Sequence, residues 1–141
     1  MSFGNTMEND ILKLIFNATA IADLAQDDGS GPATTLTVAM HTADPGEAGD
    51  QTTNETAYTG YSRIAVNRNG GGWVVTGNSV SPAADVVFGE CSASPGAALT
   101  HFSVGTGVSN KMICKGTLTP NITMAALVTP ILDATTTITL D

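Results

Sequence analysis

Two histidines, two cysteines and a handful of acidic residues are the side chains from which this sequence would have to build chemistry. Zinc binding asks for closely spaced ligand pairs such as Cys-x-x-Cys or His-x-x-x-His, and neither occurs. His41 and His101 each sit in a strand-like stretch beside polar residues, so hydrogen-bonded or surface positions are expected for both. Cys91 and Cys114 are expected as free thiols, because a reduced compartment keeps them so and spacing alone does not bring them together. Asp44, Glu47 and Asp50 lie along one loop, with Asp27 and Asp28 in an earlier one. Calcium favours such oxygen clusters, but the alternating acids, central glycine and terminal glutamate of an EF-hand are absent. A solvated Pro/Gly turn is the expectation there. No serine stands in a Gly-x-Ser-x-Gly elbow, no carboxylate pair falls within a strand pattern, and Gly70-Gly71-Gly72 lacks the Lys-Ser/Thr and the helix of a phosphate loop. Asn17, Asn54 and Asn121 begin glycosylation sequons that carry no meaning without a secretory route. The sequence therefore predicts no catalytic, cofactor-binding or metal-binding residue, and no enzyme.

Composition narrows the partners. Five Lys and Arg face 13 Asp and Glu, a net charge of −8. Nucleic acid is bound through Lys and Arg, so it is not an expected partner, and anionic membrane surfaces are disfavoured by the same sign. The N-terminus carries Glu8 and Asp10 where a secretory signal would be basic, and no stretch reaches the ~18 apolar residues of a membrane span. Synthesis in the cytoplasm is expected. The length fits one domain, spanning 1–141, with a helix and linker over 1–31 and a β-sandwich over 32–141. Charged residues are only 13%, and the abundance of Thr and Gly suits an all-β chain with many tight turns.

The elements that would position these side chains can be read from periodicity. Thr6 to Ala25 predicts an amphipathic helix, with Thr6 as N-cap and Glu8 and Asp10 at the positive end of the dipole. Met7, Ile11, Leu14, Ile15, Ala18, Ile21, Ala22 and Ala25 form its core stripe. Leu12 and Phe16 fall outside that stripe, one turn apart, and are expected to form a small apolar patch for a partner. The breaker Gln26 to Pro32 ends the helix. Leu36, Val38 and Met40 alternate with Thr35, Thr37 and Ala39 as in a half-buried strand. In Gly60 to Val66, Ile64 and Val66 are expected in the core. Tyr61 and Arg63, on the other face, are expected at a partner contact or polar rim, with Arg63 adding little to stability. Further strand patterns occur at Trp73–Thr76, Ser79–Ser81, Asp85–Phe88, Leu99–Gly105, Lys111–Gly116, Ile122–Met124 and Thr135–Leu140. About eight short strands after one helix predict a β-sandwich, of jelly-roll type.

Several stretches carry a family resemblance. Asn5, Glu8, Asn9, Ile11 and Leu12 near the start, Leu36 to Gly49, Gly60-Tyr61-Ser62-Arg63-Ile64-Ala65-Val66, Thr100-His101-Phe102 and Leu118-Thr119-Pro120 together resemble small structural proteins of tailed-bacteriophage virions. Relatives are labelled as head decoration (cement) proteins or as tail-fibre proteins. The resemblance implies a structural virion protein, a homo-oligomer with a dimer preferred over a trimer. A fibre shaft would show repeats, and none is present. The reading favoured is a decoration protein on the outer capsid surface, contacting the major capsid protein and stabilising the shell. A tail-associated role comes second. A carbohydrate-binding module comes third, since a binding platform needs aromatics and they are 5% of the chain.

Overall fold

The computed structural model describes residues 5–20, 33–106 and 110–140. Among the described residues one helix precedes nine strands: α1 (Asn5–Asn17), β1 (Thr35–His41), β2 (Ile64–Asn67), β3 (Trp73–Thr76), β4 (Ser79–Pro82), β5 (Val86–Val87), β6 (Leu99–Gly105), β7 (Met112–Ile122), β8 (Ile131–Leu132) and β9 (Ile138–Thr139). The all-β class with one N-terminal helix is as expected. Strands form antiparallel sheets ordered β2-β1-β6-β7, β3-β4-β9 and β5-β8. These orders do not themselves spell a jelly roll, which is a double sheet of eight strands. The chain groups into two compact units that interleave along the sequence. The first takes residues up to Thr35, Val66–Asp85 and Asp133 onward, and the second takes Leu36–Ala65 and Val86–Leu132.

In the first unit, β3 and β4 form a hairpin closed by Gly77-Asn78, with Gly77 at φ +62°, the sign a two-residue hairpin turn requires. Strand β9 adds beyond β4 with Val80 opposite Ile138. Helix α1 packs on β3 and β4. Its Phe16 ring meets the Trp73 ring edge-on at 4.8 Å, and both side chains are fully enclosed.

The helix departs from expectation in length and in face. It ends at Asn17, and Thr19 N–H bonds back to Lys13 O across Ala18, which sits at φ 52° in the left-handed region. A left-handed residue just past the last helical one is the usual way a helix stops, though this bond reaches one residue further back than the 6→1 bond of a Schellman motif. The Arg68 guanidinium reinforces the stop by donating to the Leu14 and Ile15 carbonyls at the negative end of the helix dipole. Leu12 and Phe16 are buried, at 4% and 1% exposure, so the expected partner patch is instead core. Ile11, Leu14 and Ile15 of the expected stripe are only half-buried and Ala18 is exposed. The stripe was wide only on a helix running to Ala25. On a helix ending at Asn17, the row Glu8, Leu12, Phe16 is the buried one, and Trp73 gives its aromatic ring a partner. The helix begins at Asn5, so Thr6 lies within its first turn and is not the N-cap expected. Expectations for the Met7 side chain, Ile21, Ala22, Ala25 and the breaker to Pro32 lie outside the described residues.

In the second unit, β1 and β6 pair in register from Thr37 opposite Gly105 to His41 opposite His101, and β7 pairs with β6 as an edge strand. Leu36, Val38 and Met40 are buried as the alternation predicts, with Leu99, Phe102 and Val104 from β6. Ile64 and Val66 are half-buried rather than core, and β2 starts only at Ile64, residues 58–63 being irregular apart from the Thr59–Ala93 bridge and a turn at Gly60. Strand β7 runs on through the cis Thr119–Pro120 bond to Ile122, further than its composition suggested. The short β5–β8 pair is extended by Phe88 N–H to Pro130 O and Cys91 N–H to Val128 O. Near the chain's end only Ile138–Thr139 forms a strand. Cys91 and Cys114 are free thiols, the first buried and the second half-buried.

Candidate functional site

Within the second unit, polar side chains gather along β1, from Thr37 to His41. Gln51 is the hub, and it is fully buried. Its amide Nε2 donates to Thr37 O at 3.0 Å and to Ser103 Oγ at 3.3 Å, while its Oε1 accepts from Thr37 Oγ1 at 2.8 Å. A Cβ on Gly105 would collide with that Gln51 amide, so only glycine allows β6 to pass this close. His41, also fully buried, has Nε2 2.8 Å from Ser103 Oγ and Nδ1 2.9 Å from Thr53 O. A carbonyl can only accept, so Nδ1 carries the proton and Nε2 accepts from the Ser103 hydroxyl. Donors and acceptors then run in one direction, from Gln51 to Ser103 to His41 to Thr53. Burial pushes the His41 pKa below its ordinary value.

A second cluster adjoins it. Arg63 donates from Nε and Nη2 to the two carboxylate oxygens of Glu55, each at 2.7 Å, a bidentate fork, and from Nη1 to Asn110 Oδ1 at 2.8 Å. Tyr61 Oη donates to Glu55 Oε1 at 2.8 Å and accepts from Met40 N–H at 3.1 Å. Its ring meets that of Tyr58 edge-on at 5.4 Å and stacks with that of Phe88 at 6.1 Å. Glu55 raises the Arg63 pKa, and burial raises that of Tyr61. Tyr61 and Arg63 thus have their polar atoms engaged by their own chain. Arg63 is also not the marginal rim residue expected for stability, since its fork is mostly buried, with 21% and 17% exposure for the two side chains.

The outer loop behaves differently. Asp44 accepts from Gly46 N–H and pairs with Lys115 Nζ at 2.9 Å, and the almost fully exposed Glu47 stands 3.7 Å from the same ammonium. Asp50 accepts from Thr52 and Thr53 and so caps its own turn. Those bonds hold the Asp44 and Asp50 carboxyls below the usual range. Between this loop and β7 lies an open cleft of about 360 Å³ lined by Glu47, Gly49, Met112, Ile113, Cys114 and Lys115.

The Ser103–His41 pair has the spacing of a nucleophile and its base, but a backbone carbonyl stands where a carboxylate would orient the histidine, and both residues are fully buried. In this arrangement the pair pins β1, β6 and the 50–56 loop together. Sequence reading singled out His41, Tyr61 and Arg63 but missed Gln51, Glu55, Ser103 and Asn110. Gly105 at the end of a strand pattern was the one signal of a close approach.

The fold and the network define a small β-rich protein whose buried polar groups hold sheets and loops in place. A family model described as "Podophage GP4 fiber I protein gp80" matches residues 2–126, and the chain belongs to that family. It is a structural protein of tailed bacteriophage. No curated protein matches the chain.

Proposed function

We propose that the chain is a fibre component of the virion, acting by contact between subunits rather than by chemistry. The family match over residues 2–126, whose description names a fibre protein, carries this reading. The site is in keeping with it, because bidentate and buried hydrogen bonds rigidify loops that would otherwise yield under load. A second reading is a decoration protein on the outer capsid surface, bound to the major capsid protein. What favours it is the build: short strands folded back into two compact units, and no sequence repeat from which a shaft could be made. Self-association belongs to either reading. The deciding experiment is quantitative mass spectrometry of purified virions, separated into heads and tails. The fibre reading expects a few copies per particle, confined to the tail fraction. Hundreds of copies on heads would replace it with decoration, and absence from particles would end both.

A further inference from the structure

We propose that the cleft between the Asp44–Asp50 loop and β7 is a binding site for one basic side chain, arginine or lysine, presented by a different protein. Strand β7 is an edge strand, and its outer side pairs with none of the described residues. Edges of this kind invite strand addition, and a bulge at the start of β7 blunts this end of the edge. Val104 faces Cys114 and Gly105 faces Met112, which leaves Ile113 as the extra residue. The bulge breaks the strand's alternation, so four consecutive residues, Met112 to Lys115, open onto one cleft. A bent edge of this form suits an inserted side chain better than an added strand.

The lining fits an amphipathic cation. Met112 and Ile113 offer apolar surface for a long methylene stem, and methionine adapts to the shape it meets. Glu47 supplies the charge at the rim. It is 97% exposed and 3.7 Å from Lys115, whereas Asp44 holds the same ammonium at 2.9 Å. Two carboxylates therefore share one cation, and Glu47 is the one left to pair with an incoming charge. A second copy of this chain is a poor occupant. It brings 13 acidic side chains against five basic ones. Of those five, Arg63, Arg68 and Lys115 are already bonded within the chain.

The test uses the full chain with isotope-labelled methionine methyls, the Met112 signal being assigned through Met112→Leu. The probe is acetyl-Gly-Arg-Gly-amide at low salt, and the control is the same peptide with norleucine in place of arginine. The arginine peptide should shift the Met112 methyl saturably and the control should not. Glu47→Lys, which changes a side chain in open solvent, should leave the melting temperature unchanged and weaken binding by at least about fivefold. Absence of a saturable shift overturns the proposal, as does an equal response to norleucine or undiminished binding by Glu47→Lys. Self-association of the parent that the arginine peptide competes away would make the occupant a second copy and overturn its assignment to a different protein.

Discussion

The residues that matter most in the second unit are those whose removal strands a partner. Glu55 and Arg63 form a two-point fork at 2.7 Å that is mostly shielded from water. Either truncation leaves an ionic group short of its partner, so Arg63→Ala and Glu55→Ala should each cost about 1.5–3 kcal/mol. The double variant should cost clearly less than the sum, with a coupling of about 1–3 kcal/mol in chemical denaturation. Additive losses would show that the fork contributes nothing beyond its parts. His41 adds a pH dependence of definite sign. Its folded pKa lies below the ordinary 6.5, so the unfolded chain binds the proton more readily. Its contribution is complete above pH 6.5 and is lost as pH falls below that value toward the folded pKa. Glu55 nearby opposes the depression, while Arg63 and His101 add to it. The melting temperature of the parent should fall more steeply between about pH 7 and pH 5 than that of His41→Gln, since carboxylate effects are common to both. Parallel curves would mean that His41 protonates without cost.

Among the elements, helix α1 is decided by how it ends. Ala18 occupies the left-handed region that costs an L-residue about 1–2 kcal/mol. Ala18→Gly removes that strain, offset by the greater freedom of glycine in the unfolded chain, so a gain of about 0.5–1 kcal/mol is expected in thermal or denaturant unfolding. No gain would show that the stop is held by Arg68 alone. Phe16→Ser tests the face. A ring enclosed against Trp73 should cost about 3–5 kcal/mol when lost, and the first unit should melt early. A folded variant that merely failed to associate would restore the exposed patch that its sequence position suggested. The contrast explains what was legible. Alternation gave β1 and β6 because one strand's pattern is set by its own sheet. The helix face was not legible, since it depends on where the helix stops, and the stop at Ala18 is reinforced by Arg68, distant in sequence. The polar network was equally hidden. Gln51, Glu55 and Asn110 lie in loops, where such residues are ordinary, and only tertiary folding brings them to Thr37, Ser103 and Arg63.

At the scale of the whole molecule, charge and apolar surface offer two different ways of joining a particle. The net charge is −8, with a pI near 4.3. Large exposed apolar side chains are few among the described residues: Val74 in the first unit, and Val87, Leu127 and Ile131 in the second. Val87 and Ile131 are register partners on the open face of the β5–β8 pair, a patch too small to form the centre of a standard interface of roughly 1,200–2,000 Å². Charge is then the larger resource for association, and neighbours in the particle should present basic surface. Screening decides between the two. The Debye length shrinks from about 10 Å at 0.1 M salt to about 3 Å at 1 M, which removes attraction between exposed charges but leaves apolar contact intact. Rebinding of the purified chain to particles stripped of it should therefore weaken steadily as sodium chloride rises over that range. Glu47→Lys should bind more weakly than the parent at low salt, and the difference should vanish at high salt. Binding that holds constant or tightens with salt would instead assign the contact to Val87, Ile131 and Leu127. In that case Ile131→Ser, on the exposed face of its strand, would be the variant that fails to rebind while melting like the parent.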